Sequence, residues 1–322
     1  MRPANPEREA VLVTGGAGFI GSHLADRLAG TGRFVRILDD LSTGRRENVE
    51  RLLGRHPGRI EFLQGDVRSP ADVQRAVEGV RAILHQAALP SVERSVKDPW
   101  TSHEVNVDGT VRLLEAARGS GVQRFLLAGS SSVYGDQPEL PKRETMSPSP
   151  RSPYALSKLE AEQHVRLYAE LYGLSGVTLR YFNVFGPRQD PGSPYAAVIP
   201  LFLRAMLSGE PPTIFGDGLQ TRDFTYIDNV VDANLAALEA PELHGEAVNV
   251  ACGDRISLLD LLGVLGDVTG RKVEPRFAPS RTGDVRDSMA DISRARSLLG
   301  FQPRIGLREG IAETLAWFRE AS

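Results

Sequence analysis

The 322-residue chain has 41% hydrophobic and 25% charged residues and a formal net charge of −3, an ordinary globular composition with length for two domains or one large one. That charge gives no electrostatic case for a nucleic-acid partner. One cysteine, Cys252, excludes an intramolecular disulfide, and the six histidines are scattered without metal-ligand spacing, so no metal site is expected. No run approaches about 18 apolar residues and the polar start does not read as a signal peptide, so no membrane partner and a reducing, cytoplasmic setting are expected.

In chain order, residues 10–14 form a β-rich run that ends in Gly15-Gly16-Ala17-Gly18-Phe19-Ile20-Gly21. Residues 18–28 read as a helix with Ile20, Leu24 and Leu28 on one face. Strands follow at 34–38 and 60–64, a helix at 69–78, and a strand at 82–85. A long helix is expected over 99–118, a strand over 124–128, a long helix over 153–172 with Pro153 in its first turn, and a strand over 177–181. Strand and helix alternating at this spacing predict parallel βαβ units, hence an α/β fold with a doubly wound Rossmann sheet. Beyond Phe182 the pattern loosens into a proline-rich loop, helices at 196–208, 257–269 and 311–320, and a short strand at 247–250. The expected organisation is a dinucleotide-binding domain over 1–182. A smaller C-terminal α/β lobe for substrate spans 183–322, interleaved with returns to the main sheet.

The glycine turn follows a strand and opens a helix. Gly15, Gly18 and Gly21 leave room for backbone approach to a pyrophosphate, and the helix N-terminus favours its negative charge. Asp39 lies eighteen residues past Gly21, where a carboxylate accepts from ribose hydroxyls and repels a 2′-phosphate, which favours NAD over NADP. The alternative is a turn-forming Asp39-Asp40 pair. Asp66 is a candidate for the adenine edge or for a loop cap. Tyr154 and Lys158 share a helix face four residues apart, so the ammonium can serve both the phenol and a bound nicotinamide ribose. A tyrosine base at neutral pH needs its pKa lowered by about three units from ~10, roughly 4 kcal/mol of differential stabilisation. Ser130, Ser131 and Ser132 end a strand, where a hydroxyl can meet substrate or simply cap the strand.

These stretches, together with LHQAALPSVERSVKDP, NVDGT, SSSVYGDQPELP, LRYFNVFGPRQDP, IFGDGLQTRDFTYIDN and RTGDVRDSMADISRA, resemble the extended short-chain dehydrogenase/reductase family. Within it the chain looks like the UDP-hexose 4-epimerases, most closely the bacterial branch acting on UDP-N-acetylglucosamine. The resemblance runs from about Ala10 to Phe301. It implies bound NAD, lined by Gly15, Gly18, Phe19, Ile20, Gly21, Asp39, Asp66, Val67, Gln86, Ala87, Ala88, Tyr154 and Lys158. It implies Ser130, Tyr154 and Lys158 as the catalytic set and a UDP-sugar as substrate. Phe215 would stack on uracil, Arg222 and Arg281 meet the diphosphate, and Asp284 a uridine ribose. Asn183 would bond the diphosphate or sugar, with Ser131, Ser132, Ala197, Val198 and Ser288 near the sugar. Small residues at 197 and 288 leave room for a 2-acetamido group. Related dehydratases and decarboxylases carry acids at the positions of Ser131 and Ser132, which are absent here. Pro90 stands where near relatives have glycine. A homodimer through the helices at 99–118 and 153–172 is also implied. The competing readings are another nucleotide-sugar enzyme, a decarboxylase or reductase, or a non-catalytic dinucleotide-binding sensor.

Overall fold

The computed structural model describes residues 10–190, 192, 197–280 and 285–321. The chain forms two compact units. The first comprises the described residues up to Ser130 with Ser152–Arg180 and Asn234–Val248. The second comprises Ser131–Arg151, Tyr181–Ala233 and the described residues from Asn249 onward. Residues 131–151 lie with the second unit, and 234–248 returns to the sheet of the first.

In the first unit the strands are β1 (Ala10–Thr14), β2 (Phe34–Asp39), β3 (Ile60–Gln64), β4 (Val80–His85), β5 (Arg124–Ser130) and β6 (Ser175–Tyr181). With the strand His244–Val250 they make a seven-stranded sheet in the order His244–Val250, β6, β5, β4, β1, β2, β3. The β1–β2, β1–β4, β2–β3 and β4–β5 pairings are parallel. This is the doubly wound arrangement that strand–helix alternation predicts. The order reverses between β1 and β4, and the crevice beyond their carboxyl ends is where such sheets take ligands.

The helices are α1 (Phe19–Gly30), α2 (Arg46–Arg55), α3 (Pro70–Val77), α4 (Val92–Lys97), α5 (Pro99–His103), α6 (Gly109–Gly119) and α7 (Pro153–Tyr172). Leu12, Ile83, Phe125 and Leu127 of the strands pack with Val73 and Ala76 of α3, Leu113 and Leu114 of α6, and Ala161 and Val165 of α7. Burying one such side chain contributes about 1.5–3 kcal/mol. Ser152 caps α7 by accepting from Ala155 N at 3.1 Å; Gly173, at φ 69°, ends it in the left-handed region that glycine adopts freely.

The single helix expected over 99–118 is broken. A wider π-type turn over Glu104–Asp108 separates α5 from α6. It turns Asn106 inward, where its side chain accepts from Leu89 N at 2.8 Å and donates to Ser157 Oγ at 3.0 Å. π-type turns of this kind recur at functional sites. Helix α2 had no expectation, because its buried stripe is only Asn48, Val49 and Leu52 amid charged residues. None of the helices among the described residues is long and apolar enough to cross a membrane.

In the second unit Thr213–Phe215 pairs with Arg276–Ala278 and Thr225–Tyr226 with Val184–Phe185, both parallel, while Thr221–Arg222 pairs antiparallel with Ile256–Ser257. The extended segment 286–291 is held from two sides. Thr221 N donates to Arg286 O and Ser288 N to Thr221 O, both at 3.1 Å; Lys142 N donates to Met289 O at 2.7 Å and Asp291 N to Lys142 O at 2.9 Å. Beneath it, fully buried Asp223 accepts from Cys252 N, Gly253 N and Ala290 N at 3.0–3.1 Å. Fully buried Asn249 accepts from Tyr134 Oη at 2.7 Å and donates to Lys142 O and Asp291 O.

Candidate active site

The glycine turn leaves β1 and enters α1 at the switch point of the sheet. Gly15 has φ +68°, and a Cβ there would lie 2.7 Å from Ala87 N. At Gly21 a Cβ would stand 2.2 Å from Gly15 O. The turn therefore admits no side chains at these positions, and the N-terminus of the twelve-residue α1 has no side-chain cap. A backbone cradle at an uncapped helix N-terminus suits a diphosphate. Phe19 and Ile20 form the first turn of that helix.

Asp39 ends β2 and is buried. Its Oδ2 accepts from Ala17 N at 2.9 Å and its Oδ1 from Leu41 N at 2.8 Å, which orients the carboxylate. Burial raises its pKa, against the lowering effect of those two amides. Free lone pairs on both oxygens suit ribose hydroxyls. Asp66 follows β3. Burial alone would raise its pKa, but the Arg68 guanidinium outweighs it and the net shift is downward; Arg68 Nε and Nη2 reach Asp66 Oδ2 at 2.9 and 2.6 Å. Val67 is buried beside it. Gln86, Ala87 and Ala88 follow β4, and Gln86 N donates to Thr14 O at 3.2 Å. The turn, the carboxylate and this loop together fit a dinucleotide.

Ser130, Tyr154 and Lys158 come together in the first unit. Ser130, at the end of β5, hydrogen-bonds the Tyr154 phenol, which lowers the phenol pKa, but burial dominates and holds it above the ordinary value. Lys158 is 4% exposed and donates to Ala128 O at 2.9 Å. Burial pushes its pKa down to about 8. The lowered pKa that a tyrosine base requires is therefore not a property of the protein alone, and Lys158 is not among the causes acting on Tyr154. The start of α7 is fixed further by Ser95 Oγ, which accepts from Tyr154 N at 3.0 Å.

The other expected residues lie in the second unit. Ser131 and Ser132 open the short helical turn Ser131–Tyr134. Asn183 has φ +32°, rare for a non-glycine residue, and donates from Nδ2 to Asp223 O at 3.0 Å, leaving Oδ1 for a ligand. Ala197 is exposed and Val198 half-buried at the start of the helix Val198–Ser208. Phe215 is half-buried, and its carbonyl accepts from Gln220 Nε2 at 2.6 Å. Arg222 Nη1 donates to Thr221 O at 2.8 Å and Arg286 O at 3.2 Å. Ser288 is buried within the segment 286–291. Arg281 and Asp284 lie outside the described residues. Thr14, His85, Thr110 and Asn106, none of them expected as site residues, form a buried polar chain behind the cofactor loop. A histidine closing an apolar strand was its only visible signal.

A doubly wound sheet with a glycine turn at its switch point, an oriented acid at the end of β2 and a serine–tyrosine–lysine set defines a nucleotide-dependent oxidoreductase-like enzyme of the short-chain type. Residues 11–251 match the NAD dependent epimerase/dehydratase family, and the chain belongs to that family. It is 44% identical over 314 residues to a UDP-glucose 4-epimerase of Mycolicibacterium smegmatis, covering 97% of this chain and 99% of that one. Among solved structures it resembles a UDP-N-acetylglucosamine 4-epimerase from Methanobrevibacter ruminantium in complex with UDP-N-acetylmuramic acid, with TM-score 0.92 and 37% identity over 98% of this chain and 99% of that one. It also resembles a Thermus thermophilus UDP-glucose 4-epimerase in complex with NAD, with TM-score 0.88 and 38% identity over 97% and 100%.

Proposed function

We propose that this chain is an NAD-dependent UDP-hexose 4-epimerase, acting on the UDP-N-acetylglucosamine/galactosamine pair and also on UDP-glucose/galactose. The observation that supports it most is the Ser130 hydroxyl on the Tyr154 phenol, one helical turn before a buried lysine, behind a glycine turn. NAD, when bound, supplies the hydride chemistry at carbon 4 of the sugar. Tyr154, as phenolate, takes the proton of the 4-hydroxyl. Ser130 hydrogen-bonds the same hydroxyl and smooths the transfer. Lys158 would hold the cofactor ribose and, once an oxidised nicotinamide is bound beside it, would help lower the Tyr154 pKa, which burial raises in the protein alone. The sugar passes through a 4-keto form and turns its other face before Tyr154 returns the proton.

Phe215, Arg222, Arg281 and Asp284 take the uridine diphosphate; the guanidinium forks suit phosphate oxygens. Asn183, Ser131, Ser132, Ala197, Val198 and Ser288 face the hexose. The absence of acidic residues at 131 and 132 favours epimerisation over dehydration or decarboxylation. A homodimer also belongs to this reading. Trp100 of α5 and Leu171 of α7 are 69% and 66% exposed, and Val96, Leu156, Leu167 and Tyr172 extend the apolar surface along α4 and α7.

The test is incubation of the protein with UDP-sugars of each pair, with product separation, for the parent and Tyr154→Phe. The parent converts each sugar to its 4-epimer without net NADH. The variant folds, retains NAD and loses on the order of 10²–10⁴-fold in rate. Net NADH release by the parent, or a variant near the parental rate, would remove the proposal.

A further inference from the structure

His85 closes β4, is 1% exposed and is a buried titratable ring behind the cofactor loop that the mechanism above does not use. Its Nδ1 lies 2.6 Å from Thr14 Oγ1 and its Nε2 3.0 Å from Thr110 Oγ1. The two threonines fix which nitrogen holds the proton. Thr110 Oγ1 donates its own hydrogen to Asn106 O at 2.7 Å, so toward His85 it can only accept. Nε2 is therefore the donor and Nδ1 the acceptor. Thr14 Oγ1 then donates to Nδ1 and accepts from Ala87 N at 3.2 Å. Every donor and acceptor along the chain Ala87, Thr14, His85, Thr110, Asn106 is used in one direction.

The chain has consequences at both ends. At one end it ties the Gln86–Ala88 loop to the residue before the glycine turn, where Gly15 has no space for even a methyl group against Ala87. At the other it enters the π-type turn, where Asn106 holds Leu89 N and Ser157 Oγ. Ser157 Oγ in turn donates to Tyr154 O at 2.9 Å. We propose that His85, as the neutral Nε2–H tautomer, is a positioning residue that sets the Gln86–Ala88 loop against the glycine turn and couples it to the helix bearing Tyr154 and Lys158. Burial and the Lys158 ammonium, the one charged group acting on the ring, both oppose an imidazolium and push the His85 pKa down to about 3. An imidazolium would also present two donors where the chain accepts only one.

The inference rests on the cofactor reading for its functional half and stands free of it for the tautomer. The first measurement is long-range proton–nitrogen correlation on histidine-labelled protein from pH 5.5 to 9. One histidine is expected to show a protonated Nε2, a hydrogen-bonded unprotonated Nδ1 and no titration, and to vanish in His85→Gln. A titrating His85, or an Nδ1–H form, would overturn the proposal. The second is calorimetry of NAD and of UDP on cofactor-free parent, Thr110→Val, His85→Phe and His85→Gln. The NAD Kd should rise at least threefold in Thr110→Val and tenfold in His85→Phe, and recover partly in His85→Gln, which keeps a donor and an acceptor. UDP affinity should stay within twofold throughout, which separates positioning from loss of fold. If His85→Phe does not fold, Thr110→Val and the spectra decide. NAD affinity within twofold of parent in the folded variants overturns the proposal alone, whereas a parent that binds no NAD overturns the cofactor reading as well.

Discussion

Replacing Lys158 by methionine should make the cofactor-free protein more stable at neutral pH while abolishing its chemistry. Burial brings the Lys158 pKa from 10.5 down to about 8, so the folded state holds this ammonium less willingly than the unfolded chain does. At about 1.4 kcal/mol per pKa unit, keeping it charged costs the fold roughly 3 kcal/mol below pH 8. The sign follows from proton counts. Below pH 8 both states bind the proton and the full penalty is present. Between pH 8 and 10.5 the folded state releases it first, so the unfolded state binds more protons and stability rises with pH. Above 10.5 the penalty is gone. Methionine fills a similar volume without a charge but leaves Ala128 O without its donor, which returns about 1–2 kcal/mol. The net expectation is a gain of about 1–2 kcal/mol at pH 7 that disappears by pH 10.5. Thermal and urea unfolding of NAD-free parent and variant at both pH values read it directly. A variant less stable than parent at pH 7, or one equally stabilised at both pH values, would refute the reasoning.

Asp39→Ala should weaken NAD and narrow its advantage over NADP, because the carboxylate oriented by Ala17 N and Leu41 N is lost; equal affinities in the parent by calorimetry would remove that role. If Ser288 lies by the hexose as proposed, Ser288→Tyr should overfill that space at about 1–3 kcal/mol, roughly 5- to 150-fold in rate for the N-acetylated pair, and change UDP-glucose/galactose turnover much less. Steady-state kinetics showing equal losses on both pairs, or none, would take Ser288 out of the specificity argument. Leu171→Glu combined with Trp100→Glu should turn a dimer into a monomer by light scattering at micromolar concentration, and a parent that is already monomeric would contradict the dimer.

Much of the first unit was legible because its signals are local. The β1 run, the glycine turn and the face of Ile20, Leu24 and Leu28 lie within twenty residues, and Pro153 marks the start of α7. Tyr154 and Lys158 could be placed on one face because both lie on that helix, and Ser130 because it ends β5. What sequence spacing could not express was long-range or irregular. The π-type turn has no apolar period of its own; only the tertiary contacts of Asn106 with Leu89 and Ser157 define it. His85 looked like the polar end of a strand, and its partners Thr14 and Thr110 are 71 and 25 residues away. The short helices Val92–Lys97 and Ser293–Leu299 span two turns or fewer, too little for periodicity. In the second unit, the hold of Asp223 and Asn249 on the segment 286–291 comes from buried single residues, which a pattern of hydrophobicity does not mark.

In the proposed reaction one sugar carbon is oxidised and reduced again without leaving the protein. UDP-glucose and UDP-N-acetylglucosamine, each deuterated at carbon 4, would be incubated separately with purified protein and the 4-epimers isolated for mass and proton spectra. The expected products are epimers that keep the deuterium at carbon 4, with no NADH appearing in solution. Loss of deuterium from carbon 4, or no epimer from either sugar by a folded, NAD-containing protein, would contradict it.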